Sequence, residues 1–257
     1  MSNDDSRKKG LFDLKSLYKP EDLCAELAEY LFDHPRLGKV LQHPLVYGLP
    51  YFEQSNRQYN LQFRHKNQAI NKAQDTRAWN TYVALHERAY RLDAVQAISC
   101  MLEDEEYWPL IGWVWTDSEN IWQHFDIWYE LWSSNSQGRE GIIDAKNLAA
   151  TRTGVMDADD LAAYKALPDG ELTVYRGFSH DSGLEGLSWT LVKAKAQWFA
   201  RRFALEGKRP QLAIGKVSKE YVLAHFTGRD EKEIVVLPEN VKILDVVAVP
   251  KARKTEI

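Results

Sequence analysis

The stretch Gly228-Arg-Asp-Glu-Lys-Glu-Ile-Val-Val-Leu237 sets two glutamates, Glu231 and Glu233, immediately before an apolar run of β type. Side chains at i and i+2 of a strand share one face, so both carboxylates are expected to point into the same cleft. Upstream, in order, stand Val174-Tyr-Arg-Gly177 and Leu187-Ser-Trp-Thr190. The surrounding segments ELTVYRG, QLAIGKVS, YVLAHF and VKILDVVAV are likewise rich in β-branched and apolar residues. One helical stretch, Val192 to Ala204, lies among them. From Pro168-Asp-Gly170 onward the chain therefore reads as strands with a single helix.

Upstream, residues 20 to 165 carry helical patterns. Pro20 and two acids open a helix expected to run to Phe32. Residues 42–51 (HPLVYGLPYF) read as a connector, and 76–101 as an amphipathic helix with Tyr82, Leu85, Ala89, Leu92 and Val95 on one face. Thr116-Asp-Ser-Glu119 matches a capping box and is expected to open a helix carrying Trp122, Phe125, Trp128 and Trp132. Six of the nine tryptophans fall between 108 and 132. An aromatic stripe at helical spacing reads as core. Residues 134–141 read as a loop. Asp157, Asp159 and Asp160 lack the glycine and bidentate glutamate of a calcium loop, and read as acids favoured at a helix N-terminus. The expected fold class is α+β: a disordered polar N-terminus over 1–18, a helical aromatic-rich region over 19–167, and a sheet-bearing part over 168–257.

The 257 residues carry a net charge of -4, so no global basic field draws the chain to nucleic acid. Cys24 and Cys100 stand apart, which fits a reducing compartment. The polar N-terminus has no apolar signal segment behind it, and no uninterrupted apolar stretch reaches membrane-spanning length. A cytoplasmic protein with no membrane contact is the expectation. His34, His43, His65, His86, His124, His180 and His225 show no metal-ligand spacing, and no metal is expected. Phosphate-loop, dinucleotide-binding and serine-elbow glycine patterns are missing too.

Arg176, at a strand end, offers a guanidinium fork for a phosphate or carboxylate, and Gly177 permits close backbone approach. Thr190 suits the cap of the helix that follows. A fixed carboxylate at Glu233 suits positive charge developing on an anomeric carbon, and a second one at Glu231 can polarise an incoming nucleophile. An arginine, a Ser-x-Thr segment and Glu-x-Glu in this order resemble the Arg-Ser-Glu class of mono-ADP-ribosyltransferases, over about residues 170–250. The resemblance implies a split β-sandwich with an NAD cleft between two small sheets. It implies that NAD is the co-substrate, cleaved at the nicotinamide–ribose bond, with ADP-ribose passed to a macromolecular acceptor: Glu231 suggests a protein arginine, and the basic strip between Leu191 and Lys219 makes a nucleic-acid base the second choice. Glu233, Glu231 and Arg176 are then catalytic; Arg176, Gly177, Ser188 and Thr190 hold NAD; and the loop Phe226 to Asp230 meets the acceptor. Compact enzymes of this class serve as bacterial or phage toxins, effectors or defence proteins, so a neutralising partner is also implied.

Three further expectations concern the surroundings. Trp198, Phe199 and Phe203 are assigned to the core face of the single helix. His225 is a candidate for proton transfer. From Leu191 to Lys219 eight basic residues accompany one acid, Glu206, which reads either as a solvated face with phosphate neutralisation or as a groove for a nucleic-acid acceptor. The rival functions are an NAD glycohydrolase, with water as acceptor, and a non-catalytic binding module.

Overall fold

The computed structural model describes residues 21–118, 121–133, 145–179, 183–202, 204, 209–228 and 231–250. The chain is α+β, and it divides into two compact units between Arg91 and Leu92. Among the described residues no helix is long and apolar enough to cross a membrane. The expected polar N-terminus and the 134–141 loop lie outside the described residues.

In the first unit, α1 (Ala25–Ala28) is one turn long, and the chain then forms β1 (Leu31–His34), β2 (Gly38–His43) and β3 (Val46–Gly48). These pair antiparallel in that order. The helix expected to reach Phe32 therefore stops early, and the expected connector supplies the last two residues of β2 and all of β3. The reason is local. Pro35 and Gly38, with φ 71°, turn the chain between β1 and β2, and the His34 ring accepts from the N–H groups of Arg36 and Leu37, both at 3.2 Å. Leu27, Leu41, Leu45 and Val46 then form the core. Helices α2 (Asn56–Asp75) and α3 (Trp79–Leu85) complete the unit, so the helix expected over 76–101 is broken after Leu85. Buried Asn60 ties α2 to the N-terminal segment, accepting from the Cys24 N–H at 2.9 Å and donating to the Asp22 carbonyl at 2.9 Å.

His43 is buried in this unit, and its Nδ1 accepts from the Leu45 N–H at 3.0 Å. Burial, with a smaller contribution from His86, lowers its pKa below the usual histidine value. Protonation removes the acceptor, so this contribution to stability is complete above about pH 6.5 and is lost as pH falls through the lowered folded-state pKa. As pH falls from 7.5 to 5, wild type is expected to lose more stability than His43→Asn. Parallel denaturation curves at the two pH values check this.

The second unit opens with α4 (Arg91–Ile98), α5 (Asp104–Asp117), α6 (Phe125–Ser133), α7 (Ala145–Val155) and α8 (Ala158–Lys165). The capping box is at Glu103 and Glu106, where α5 begins, and not at Thr116. Thr116 sits in the last turn of α5 and donates to the carbonyls of Gly112 and Trp113. Trp108, Trp115, Trp128 and Trp132 of the tryptophan stripe are core and Trp113 is half-buried, with Trp115 edge-on against Trp128 and Trp132 at 5.0 and 5.3 Å between ring centres. Asp157 caps α8 through the Asp160 N–H at 2.8 Å, as its place at a helix start suggests.

The strands expected after residue 168 all form. They are β4 (Glu171–Phe178), β5 (Ser188–Thr190), β6 (Gln211–Ser218), β7 (Ala224–Phe226), β8 (Glu233–Val235) and β9 (Lys242–Ala248), with α9 (Lys193–Arg202) between β5 and β6. Their order is β7-β8-β5-β4-β6-β9, antiparallel at every pairing. The middle seam is thin. β4 pairs with β6 along its whole length from Glu171 to Phe178, but meets β5 only at Tyr175 opposite Thr190. One face of the sheet is filled by Leu172, Val174, Phe178, Trp189, Val217 and Ile234. On the other, Tyr175, Leu212 and Ile214 meet Ala196 and Ala200 of α9.

Candidate functional site

Where β4 and β5 part, one ionic group crosses the gap. Arg176 occupies a position on β4 of the same parity as core residues Val174 and Phe178. Its guanidinium leaves the hydrocarbon and donates from Nη1 to the Ser188 carbonyl and from Nε to the Gly183 carbonyl, both at 2.6 Å. Burial pushes its pKa down to about 10, opposed by the Glu233 carboxylate, so it stays cationic at neutral pH. A buried charge is tolerated when its donors are satisfied and an opposite charge is near. Here carbonyls provide the first condition and Glu233 the second.

Glu233 opens β8 and lies opposite Thr190 in the ladder, with Ser188 opposite Val235. Ser188, Thr190 and Glu233 therefore project from one face, while Trp189 and Ile234 go to the core on the other. The Ser188 hydroxyl donates to Glu233 Oε1. Trp189 Nε1–H donates to the Gly186 carbonyl at 2.9 Å and locks the strand's start. Thr190 links both neighbours: its hydroxyl donates to the Glu231 carbonyl at 2.5 Å and accepts from the Val192 N–H at 3.0 Å, next to the first turn of α9. The expected helix cap is not made: Thr190 closes a turn on Val192, one residue ahead of the start of α9 at Lys193.

Glu231 joins this group through its backbone carbonyl. Lys232, between the two glutamates, has φ 45°, and β8 starts only at Glu233. The i, i+2 rule that put both carboxylates on one face requires a continuous strand, and this left-handed residue interrupts it. Gly177 also has another use. A Cβ there lies 1.8 Å from the Ala196 carbonyl oxygen and 2.6 Å from the Ala200 nitrogen, so the missing side chain lets α9 lie directly on β4. Arg176, Ser188, Thr190 and Glu233 come together; Gly177 stands under the helix.

His225 is buried, with Nδ1 at 3.0 Å from the Glu233 carbonyl oxygen. A carbonyl only accepts, so that nitrogen carries the proton and the ring braces the backbone of the glutamate. β7 and β8 form a hairpin, Phe226 opposite Glu233. Asp160 of α8 anchors one end of its loop, accepting from both the N–H and the hydroxyl of Thr227 at 2.7 Å. Arg229, Asp230, Phe203 and residues 205–208 lie outside the described residues.

Two residues escaped the sequence reading. Asp160 was legible only as a helix-start acid. Gly186 has a sharper role: a Cβ there falls 1.9 Å from Arg176 Cζ and 2.0 Å from Nη2. The guanidinium lies against this glycine, and the run Gly183-Leu-Glu-Gly186 ahead of Leu187-Ser188 was the available signal. Gly186→Ala is expected to push Arg176 off the Ser188 carbonyl and to cost about 2–3 kcal/mol, the value of a charge-assisted hydrogen bond. Urea unfolding beside Gly228→Ala, where an added methyl meets nothing within 4 Å, checks it. Equal midpoints for the two variants would contradict the role given to Gly186.

The arrangement can do a limited set of things. It holds one carboxylate aimed by a hydroxyl, next to a cation, at a gap between strands whose walls are set by core packing. Such a carboxylate suits stabilisation of positive charge in a bound ligand. Among the described residues no cluster of histidine, cysteine or acid side chains is arranged to hold a metal ion. Compared with known protein families, curated proteins and solved structures, the chain matches none.

Proposed function

We propose that the second unit is a mono-ADP-ribosyltransferase acting on NAD, with Glu233 as its catalytic carboxylate. The observation that carries the reading is the Ser188 hydroxyl donating to Glu233 at the seam where β4 and β5 separate, with Arg176 bracing the Ser188 carbonyl. In this reading β7-β8-β5 and β4-β6-β9 are the two small sheets of a split β-sandwich, and the ligand enters at the seam.

The chemistry asked of the site is the exchange of one bond. The bond from the ribose anomeric carbon to the nicotinamide nitrogen breaks, its electron pair leaving with neutral nicotinamide. The acceptor's lone pair forms the new bond, and the acceptor's proton passes to a carboxylate or to water. Positive charge builds on the ribose as the first bond stretches. Glu233 supplies the opposing charge, Ser188 fixes its direction, and Arg176 adds positive potential for a phosphate-bearing substrate. Glu231, at the end of the hairpin loop, belongs to the acceptor side.

The test uses NAD labelled on its adenylate half, incubated with purified protein and a cell extract, then treated with protease or nuclease. The expected result is macromolecular label that requires Glu233. Loss of that label to protease assigns a protein acceptor, and loss to nuclease assigns RNA or DNA. Released nicotinamide without macromolecular label would replace the transferase with a glycohydrolase. Intact NAD would remove the catalytic reading altogether.

A further inference from the structure

Helix α9 buries its smallest side chains and displays its largest. Ala196 and Ala200 are buried on the side of the helix whose backbone lies against Gly177 of β4. Trp198, expected in the core, is instead 47% exposed. The Arg202 guanidinium lies over its indole at 5.0 Å from the ring centre. Lys195, Trp198 and Arg202 follow one another at i, i+3 and i+7, so they form a single stripe along the helix. From Lys193 to Arg202 there are four cations and no acid, in a chain whose net charge is -4.

The wider basic strip narrows to this helix. Lys216, 2.6 Å from Glu171, stands on β6, and Lys219, 3.1 Å from Asp169, just after it, so neither is on the helix. Lys193, Arg201, Arg202 and Arg209 are exposed. Arg201 donates from Nε to the Pro250 carbonyl at 3.1 Å, which fixes one edge of its guanidinium and steadies that end of the stripe. An indole layered with a guanidinium and flanked by further cations is a platform on which any base can stack while its phosphates are neutralised.

We propose that the exposed face of α9 binds a single-stranded segment of nucleic acid through stacking on Trp198 and phosphate contacts to Lys195, Arg201 and Arg202. Resting on the transferase reading, this makes that strand the acceptor and α9 the element that presents it. Thr190 links the Glu231 carbonyl to Val192, the residue just before α9. From Lys193 to Trp198 the helix rises about 7.5 Å, a span of about two stacked nucleotides at ~3.4 Å each. A base on Trp198 thus leaves a nearby nucleotide within reach of the helix start.

The test is fluorescence anisotropy of an oligouridylate and an oligothymidylate of about twelve nucleotides with the full-length protein. Wild type, Trp198→Ala, Trp198→Phe, Arg202→Glu and Glu233→Gln are compared. Trp198→Ala and Arg202→Glu are each expected to weaken binding about tenfold or more, and Trp198→Phe, which keeps a stacking face, much less. The logarithm of affinity should fall against the logarithm of salt with a slope of about -2, three phosphates at ~0.7 each. Tighter binding of the uridylate assigns RNA, and of the thymidylate DNA. Glu233→Gln should bind as wild type does, which separates this proposal from the catalytic one. Absent binding at low salt, with nicotinamide release intact, would overturn the platform and spare the transferase. Binding insensitive to Trp198→Ala would also overturn it. So would equal displacement of the oligonucleotide from wild type and Trp198→Ala by a glutamate-rich peptide, which points to a protein partner held by charge alone.

Discussion

Glu233→Gln is expected to lower the rate of nicotinamide release from NAD by about two to three orders of magnitude, and to lower the unfolding midpoint as well, because Arg176 loses its opposing charge. Glutamine keeps the side chain's length and its carbonyl still accepts from the Ser188 hydroxyl, so the local hydrogen bond at the seam survives. What disappears is the negative charge that opposes charge build-up on the ribose. Arg176 then lacks the carboxylate that raises its depressed pKa, a further reason to compare thermal midpoints before reading rates. Ser188→Ala tests aim rather than charge. It should cost roughly tenfold, because the carboxylate remains but loses its fixed direction. Equal losses in both variants would mean that the hydroxyl and the carboxylate act as one unit.

Gly177→Ala is expected to cost the fold more than any substitution at the seam. The added methyl meets the Ala196 carbonyl oxygen at 1.8 Å and the Ala200 nitrogen at 2.6 Å, and both are helix backbone. No rotamer change relieves that contact, so α9 must move off β4 or β4 must bend. Overpacking that side chains cannot absorb costs about 3 kcal/mol or more. For a unit of this size that is roughly 10 °C in Tm. Calorimetry checks it, with Gly228→Ala unchanged as control. Because Thr190 links Val192, just before α9, to the Glu231 carbonyl, the same variant should also misalign the carboxylate group.

Much of the second unit was legible because its information is local. β-branched runs with alternating partners gave β4, β6, β8 and β9, and the acids at Asp157 and Asp160 marked a helix start. Order along the chain also placed Arg176, Ser188 and Glu233 near one another. What stayed hidden depends on tertiary neighbours. Trp198 was assigned inward as part of an aromatic helix packed behind the Ser-x-Thr segment, but the inward face of α9 is the one whose backbone approaches Gly177. The shared face of Glu231 and Glu233 failed on one torsion, that of Lys232, which no composition rule reveals. In the first unit, Leu31 to Gly48 carries apolar residues that suit either period, and the turn at Pro35 to Gly38 decided for strands. Gly186 shows the same limit: its meaning comes from a guanidinium ten residues upstream.

In the proposed function the Ser188–Glu233 pair beside Arg176 cleaves NAD. A proton NMR time course of NAD with the purified protein tests it most directly, following the anomeric signal of the nicotinamide ribose and the signals of free nicotinamide. Free nicotinamide is expected to grow as the anomeric signal of intact NAD decays, and Glu233→Gln nearly to stop both. An unchanged NAD spectrum with wild-type protein, or equal cleavage by wild type and Glu233→Gln, would contradict it.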